Sequence, residues 1–169
     1  MQLADFLDEH TDAILAEWVT FAQRQQAAGR MGLQVLRDHA AEMLRAIAAD
    51  LRRAQSDDQQ RVKSFGDAPA LHPGLVTAAE SHGSGRAESG FSVIEMVAEF
   101  RALRASVLRL WSAERRVFAG EDVVDLARFH EAIDQALAES VVHFHASVTQ
   151  SHDLFTPCSG TTYAPPCRR

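Results

Sequence analysis

Apolar residues recur at three- and four-residue spacings along most of the chain, the spacing that lines one face of an α-helix. Over residues 3 to about 26 the series is Leu3, Phe6, Leu7, Ile14, Leu15, Trp18, Val19 and Phe21, with Glu9, Asp12, Glu17 and Arg24 turned elsewhere. That spacing predicts one amphipathic helix. Gly29 and Gly32 interrupt it, and a second stripe follows through Leu33, Leu36, His39, Met43, Leu44, Ile47 and Leu51, so the two runs read as a helical hairpin. Residues 54–74 mix Gln, Asp and Ser with Gly66, Pro69, Pro73 and Gly74, which predicts a connector with a short helix around 59–65.

Residues 75–82 allow two turns of helix, and Gly83, Gly85 and Gly90 then punctuate the segment up to Phe91 and allow close backbone approach. Ser92 followed by Glu95 is a capping-box pattern, in which the hydroxyl accepts from the backbone three residues on and the carboxylate reaches back to the cap. A helix is expected to start there and run through Ile94, Val97, Ala98, Phe100, Leu103, Val107, Leu108, Leu110 and Trp111 to about Gly120, with Arg101, Arg104 and Arg109 as a basic edge. The last helix opens at Glu121-Asp122, where negative charge suits the helix dipole, and meets no breaker before Phe155. At ~1.5 Å per residue it spans roughly 50 Å, longer than a compact domain needs. Its stripe of Leu126, His130, Ile133, Leu137, Val141, Phe144 and Val148 suits either a bundle face or the seam of a parallel homodimer. Beyond Phe155 the periodicity stops, so residues 1–155 read as one domain and 156–169 as a disordered tail.

Composition agrees with an all-α chain, which the stripes make an antiparallel helical bundle ending in a long C-terminal helix. The 169 residues are 46% hydrophobic and 24% charged, enough for one core and too apolar for a disordered chain. A formal charge of −6 leaves no global basic field to hold nucleic acid or an anionic membrane. No window reaches the ~18 apolar residues of a membrane span, and Met1 is followed by Gln-Leu-Ala-Asp, not by a basic start and an apolar signal core. A cytoplasmic protein is the expectation. Cys158 and Cys167 both lie in the last dozen residues, where they neither staple the core nor complete a four-ligand zinc site.

Gly-x-Ser-x-Gly, His-Glu-x-x-His and Gly-x-x-x-x-Gly-Lys-Ser/Thr are missing from the chain, so no catalytic residue is assigned and the chain reads as a non-enzyme. His143 and His145 point about 200° apart on a helix and cannot share one metal ion. His39 and His130 lie on apolar stripes and could meet in a bundle, which keeps a haem or metal ligand as an alternative. His82, Arg86, Glu99, Arg101 and Arg104 form the candidate signal-binding or subunit-contact surface. Its competing reading is purely structural: carboxylates and arginines fastening a glycine-rich turn, bracketed by His82 and Arg86, to neighbouring helices. Trp18 and Trp111 read as core anchors.

The string Ala79-Glu80-Ser81-His82-Gly83, then Arg86, then Gly90-Phe91-Ser92, then the run from Glu99-Phe100-Arg101-Ala102-Leu103-Arg104-Ala105-Ser106-Val107 to Trp111, resembles the RsbRD-type N-terminal domain of bacterial signalling proteins. That domain heads many cytoplasmic sensor histidine kinases and some stressosome RsbT co-antagonists, and the looser likeness extends from the first helix through Phe155. The resemblance implies a globin-like helical domain without haem, acting as a signal-input and dimerisation module. In such kinases the last helix passes through a Ser-x-Asp-Leu-Phe segment, here Ser151-His152-Asp153-Leu154-Phe155, into the helix bearing the phosphoacceptor histidine. His152-Asp153 imitates a phosphoacceptor pair but lacks the Arg/Thr-Pro continuation, so it reads as an exposed helix end. One choice of codons for Thr156 to Cys167, shifted by a single nucleotide, yields Ala-Val-Leu-Gly-His-Asp-Leu-Arg-Thr-Pro-Leu, which looks like that phosphoacceptor box. Residues 156–169 are therefore expected to be an out-of-frame tail, with the kinase core absent from this chain. The implied partners are a second copy, the kinase helices and a response-regulator pathway. The alternatives are a stand-alone stressosome-like interaction scaffold and a globin-like haem or small-molecule sensor.

Overall fold

The structure, a computed structural model, describes residues 1–24, 32–65, 73–115, 117 and 119–155. Seven helices and no strand occur among these residues: α1 (Leu3–Glu9), α2 (Thr11–Ala22), α3 (Leu33–Leu51), α4 (Asp57–Ser64), α5 (Pro73–Glu88), α6 (Val93–Glu114) and α7 (Gly120–Phe155). The bundle is all-α with a long C-terminal helix, as the periodicity required. The tail at 156–169, with both cysteines, and the break at Gly29 lie outside the described residues.

Four boundaries differ from the expectation, each for a local reason. The first amphipathic run is two helices, because His10 leaves helical geometry at φ −113°, ψ 14°. There its ring stacks on Phe6 at 4.4 Å and its Nε2 lies 2.9 Å from Glu114 at the end of α6. The Thr11 hydroxyl donates to the Leu7 carbonyl at 2.6 Å, closing the corner. The helix at 59–65 is displaced to α4, since Ser56 and Gln59 form a capping box that starts it earlier.

The third difference is α5, which runs straight through Gly83 and Gly85 instead of stopping at two turns. His82 and Arg86 therefore do not bracket a turn: they lie four residues apart on one face of a helix. Tertiary packing outweighs the ~1 kcal/mol that each glycine costs relative to alanine. The fourth is the end of α6, at Glu114 and not near Gly120. Arg115 turns to extended geometry at φ −87°, ψ 110°, with its guanidinium 5.6 Å from the Trp111 ring and paired to Asp122. Asp122 is buried and accepts from the Ala119 backbone N–H at 2.7 Å, which supplies the acidic start expected for the last helix.

One core runs through the bundle. Leu3, Phe6, Leu7, Ile14, Leu15 and Trp18 of α1 and α2 meet Leu36, Met43, Leu44, Ile47 and Leu51 of α3. Met96, Phe100, Leu103, Val107 and Trp111 of α6 and Phe129, Ala132, Ile133, Ala136 and Phe144 of α7 complete it. Both tryptophans are core residues, as their positions on the stripes suggested. The 36 residues of α7 span about 54 Å, and Thr149 to His152 are all exposed. No helix among the described residues is long and apolar enough to cross a membrane.

Candidate functional site

The resemblance string folds into one construction, the corner between α5 and α6. Gly90 has φ 75°, a conformation open to glycine, and ends α5 in a Schellman motif: its N–H donates to the Ala87 carbonyl and the Phe91 N–H to the Arg86 carbonyl at 3.0 Å. Phe91 is buried, with the Arg86 guanidinium 5.1 Å from its ring centre. Ser92 then caps α6: its hydroxyl accepts from the Glu95 N–H, and the Glu95 carboxylate accepts from the Ser92 N–H at 2.8 Å. The helix that starts there carries Glu99 back to face α5.

Three of the five candidate residues come together. The Glu99 carboxylate accepts from Arg86 Nε at 2.6 Å and from His82 Nε2 at 3.1 Å, both at the same oxygen, Oε2. All three side chains are enclosed, Arg86 completely. A buried charge pair costs several kcal/mol of desolvation per ion, which close geometry and added hydrogen bonds must offset. Here Trp18 contributes by donating its indole N–H to the Glu99 backbone carbonyl at 3.1 Å, and Phe100 presses edge-on to His82 at 5.0 Å between ring centres.

His39 of α3 joins the cluster from the solvent side. Arg86 Nη1 lies 3.4 Å from His39 Nδ1, and since a guanidinium has no acceptor, that imidazole nitrogen must accept. His39 is thereby held in a neutral tautomer. Burial, then the neighbouring Arg86 charge, pushes its pKa below the usual histidine value of 6.5. The pKa of His82 is also lowered, by burial first and by Arg86 further, although its bond to Glu99 opposes the shift. With Nε2–H on Glu99, His82 Nδ1 has no protein partner, and neither has Glu99 Oε1. Trp18, Ala40, Met43, His82, Glu99, Phe100 and Leu103 line a cavity of about 10 Å³ at this point, room for one water molecule at most.

Arg101 and Arg104 do not belong to this cluster. Arg101 is exposed, and Arg104 pairs with Asp134 of α7 on the surface. His39 and His130 do not meet either: His130 is exposed on α7 and lines a surface groove with Ala105, Leu108, Trp111 and Leu126. No group of three or more metal-binding side chains is found among the described residues. Along the proposed seam of α7, Ile133 and Phe144 are buried in this chain's own core, while Leu126, Leu137, Val141 and Val148 pack partly against it. His143 is half-buried and His145 exposed, on different sides of the helix.

Two features escaped the sequence reading. Lys63 of α4 and Asp50 of α3 form an enclosed ion pair at 2.5 Å, joining a polar helix to the core. Gly83 of α5 lies directly against the backbone of Ser140 on α7: an added Cβ would stand 2.2 Å from the Ser140 carbonyl oxygen. The Ser140 hydroxyl also donates to the Ala79 carbonyl, one turn back, at 3.0 Å. The expected close approach at glycine is thus real, but it is made between helices and not at a turn.

No protein-family model, curated protein or solved structure matches this chain.

Proposed function

We propose that this chain is the signal-input and dimerisation module of a two-component sensor histidine kinase, non-catalytic by itself, with α7 as its output. One observation carries the reading most directly: α7 is anchored along α5 and the core up to Val148, then extends through exposed residues toward the chain's end. A helix packed along its first part and exposed further on can pass a shift or rotation to whatever continues it. The resemblance string adds weight, because its separate pieces serve one corner that links α5 to α6 and places Glu99 on His82 and Arg86.

The surface groove of about 590 Å³ between α6 and α7, lined by Ala105, Leu108, Trp111 and Leu126, supports the dimerisation part of the proposal. Interaction as a stand-alone scaffold would use the same groove. The haem alternative draws less support, since the core cavity has space only for water. A cytoplasmic location belongs to this proposal as well.

Two measurements test it. Light scattering on the full chain, with an absorption spectrum across the same peak, is expected to give a colourless dimer; a coloured species would favour the cofactor alternative. Sequencing the coding DNA past residue 155 is expected to restore a phosphoacceptor box and an ATP-binding region after a single-base shift. A reading frame that yields neither would remove the kinase assignment and leave the scaffold.

A further inference from the structure

The polar cluster and the α7 contact lie on adjacent turns of α5, with His82 next to Gly83. His82 and Arg86 reach Glu99 and His39, while Ala79 and Gly83 touch Ser140. We propose that α5 couples the protonation state of the His39–Arg86–Glu99–His82 cluster to the position of α7. This rests on the reading of α7 as an output helix and supplies a regulation for it.

Among the described residues the cluster brings together the Arg86 guanidinium, the Glu99 carboxylate and two imidazoles used in neutral form. His39 must leave Nδ1 bare to accept from Arg86, and His82 has no acceptor for a proton on Nδ1. A proton on His39 removes the acceptor and sets a second positive charge about 3.4 Å from Arg86. Glu99 is the carboxylate in direct contact with Arg86, and it is already shared with His82.

The other charged groups near His39 are Asp38 and Glu42 of its own helix, which favour the proton, and Glu88 of α5, which lines the same surface pocket. From α6 the facing group is Glu99, and from α2 it is the neutral indole of Trp18 on the Glu99 backbone. On the α7 side, the charged contact is His143, 4.0 Å from Glu80 of α5.

Arg86 has nowhere to swing. Its side chain is wholly enclosed and lies over Phe91, so with His39 held against it the repulsion is relieved at α5; a His39 ring that turned out into the surface pocket it lines with Gly85 and Glu88 would leave α7 in place, which is the unchanged separation that overturns the proposal. Movement of α5 is not absorbed at α7, where Gly83 meets the Ser140 backbone without space even for a methyl group. The two helices shift together, and lowering the pH displaces α7 relative to α3.

The test is a pair of spin labels on Cys introduced at exposed Arg45 of α3 and exposed Ala146 of α7, with Cys158 and Cys167 replaced by Ser. Between pH 7.5 and 5.5 the label separation is expected to change by about 1–2 Å, the usual scale of a helix shift, while far-ultraviolet circular dichroism stays constant. His39→Asn keeps an acceptor for Arg86 and cannot take up a proton, so it should abolish the change; His39→Gln is the second variant if Asn folds poorly. His143→Gln should leave the change intact. An unchanged separation in the parent protein, a change that survives both His39 variants, or one that appears only as helicity is lost overturns the proposal. These measurements involve no kinase, so a negative result removes the coupling and leaves the input-module reading to its own tests.

Discussion

The contact between α5 and α7 makes a quantitative prediction at Gly83. Replacing it with Ala adds one methyl group, which on an isolated helix would be stabilising by ~1 kcal/mol. In this fold the new Cβ would lie 2.2 Å from the Ser140 carbonyl oxygen and 2.9 Å from its carbonyl carbon. Backbone cannot rotate away as a side-chain tip can, so the helices must separate by roughly 1 Å to restore an ordinary contact distance. Overpacking of this kind costs about 1–3 kcal/mol. The bond from the Ser140 hydroxyl to the Ala79 carbonyl, now 3.0 Å, stretches as well, at a cost of ~1 kcal/mol. The balance is a net loss of about 2 kcal/mol, or a fall in Tm of roughly 4–8 °C for a domain of this size. Gly120→Ala is the matched control: Gly120 begins α7 and nothing stands within 4 Å of an added Cβ. It should be neutral or stabilising by up to ~1 kcal/mol. Thermal unfolding followed at 222 nm, checked by urea titration, measures both. If Gly83→Ala melts at or above the parent temperature, the helices are not in the backbone contact described and the reasoning fails.

Further expectations follow from the buried cluster and its corner. Glu99→Gln removes the carboxylate charge that the enclosed Arg86 guanidinium contacts and should cost about 3–5 kcal/mol, read as a lower urea midpoint; a change below 1 kcal/mol would contradict the burial of this pair. Because the folded-state pKa values of His82 and His39 are lowered, the unfolded chain binds more protons as the pH drops below about 6.5. Stability is therefore full above that value and falls on acidification, with His82 contributing a slope of at most ~1.4 kcal/mol per pH unit down to its folded pKa. Urea midpoints at pH 7.5, 6.5 and 5.5 test the sign, and His82→Asn, if folded, should flatten the profile. Ser92→Ala removes the cap of α6 and should cost ~1 kcal/mol in the same assay, whereas Arg101→Ala, at an exposed position, should change stability by less than ~0.5 kcal/mol.

The amino-acid sequence determined what is local. Three- and four-residue periodicity identified the faces of α3, α6 and α7, since each helix has to bury its own apolar stripe wherever its neighbours lie. The Ser92–Glu95 box located the start of α6 to the residue, because a cap is made by residues three apart. His82, Arg86, Glu99, Arg101 and Arg104 read as one polar group, a contact surface or a fastening between helices, with nothing local to separate the three that meet from the two that do not.

Tertiary structure decided the rest. Gly83 and Gly85 read as breakers in isolation, yet α5 continues through both, and at Gly83 the missing side chain is the space that the backbone of α7 occupies. The first run breaks at His10 because the ring has partners at Phe6 and Glu114, the latter more than a hundred residues away in the chain. Arg86 and Glu99 became an enclosed pair while Arg101 and Arg104 stayed on the surface, although all four looked alike as charged residues of one segment. Which charges are buried depends on how the helices cross, and crossings are set by packing between residues far apart in the chain, where no local spacing records them.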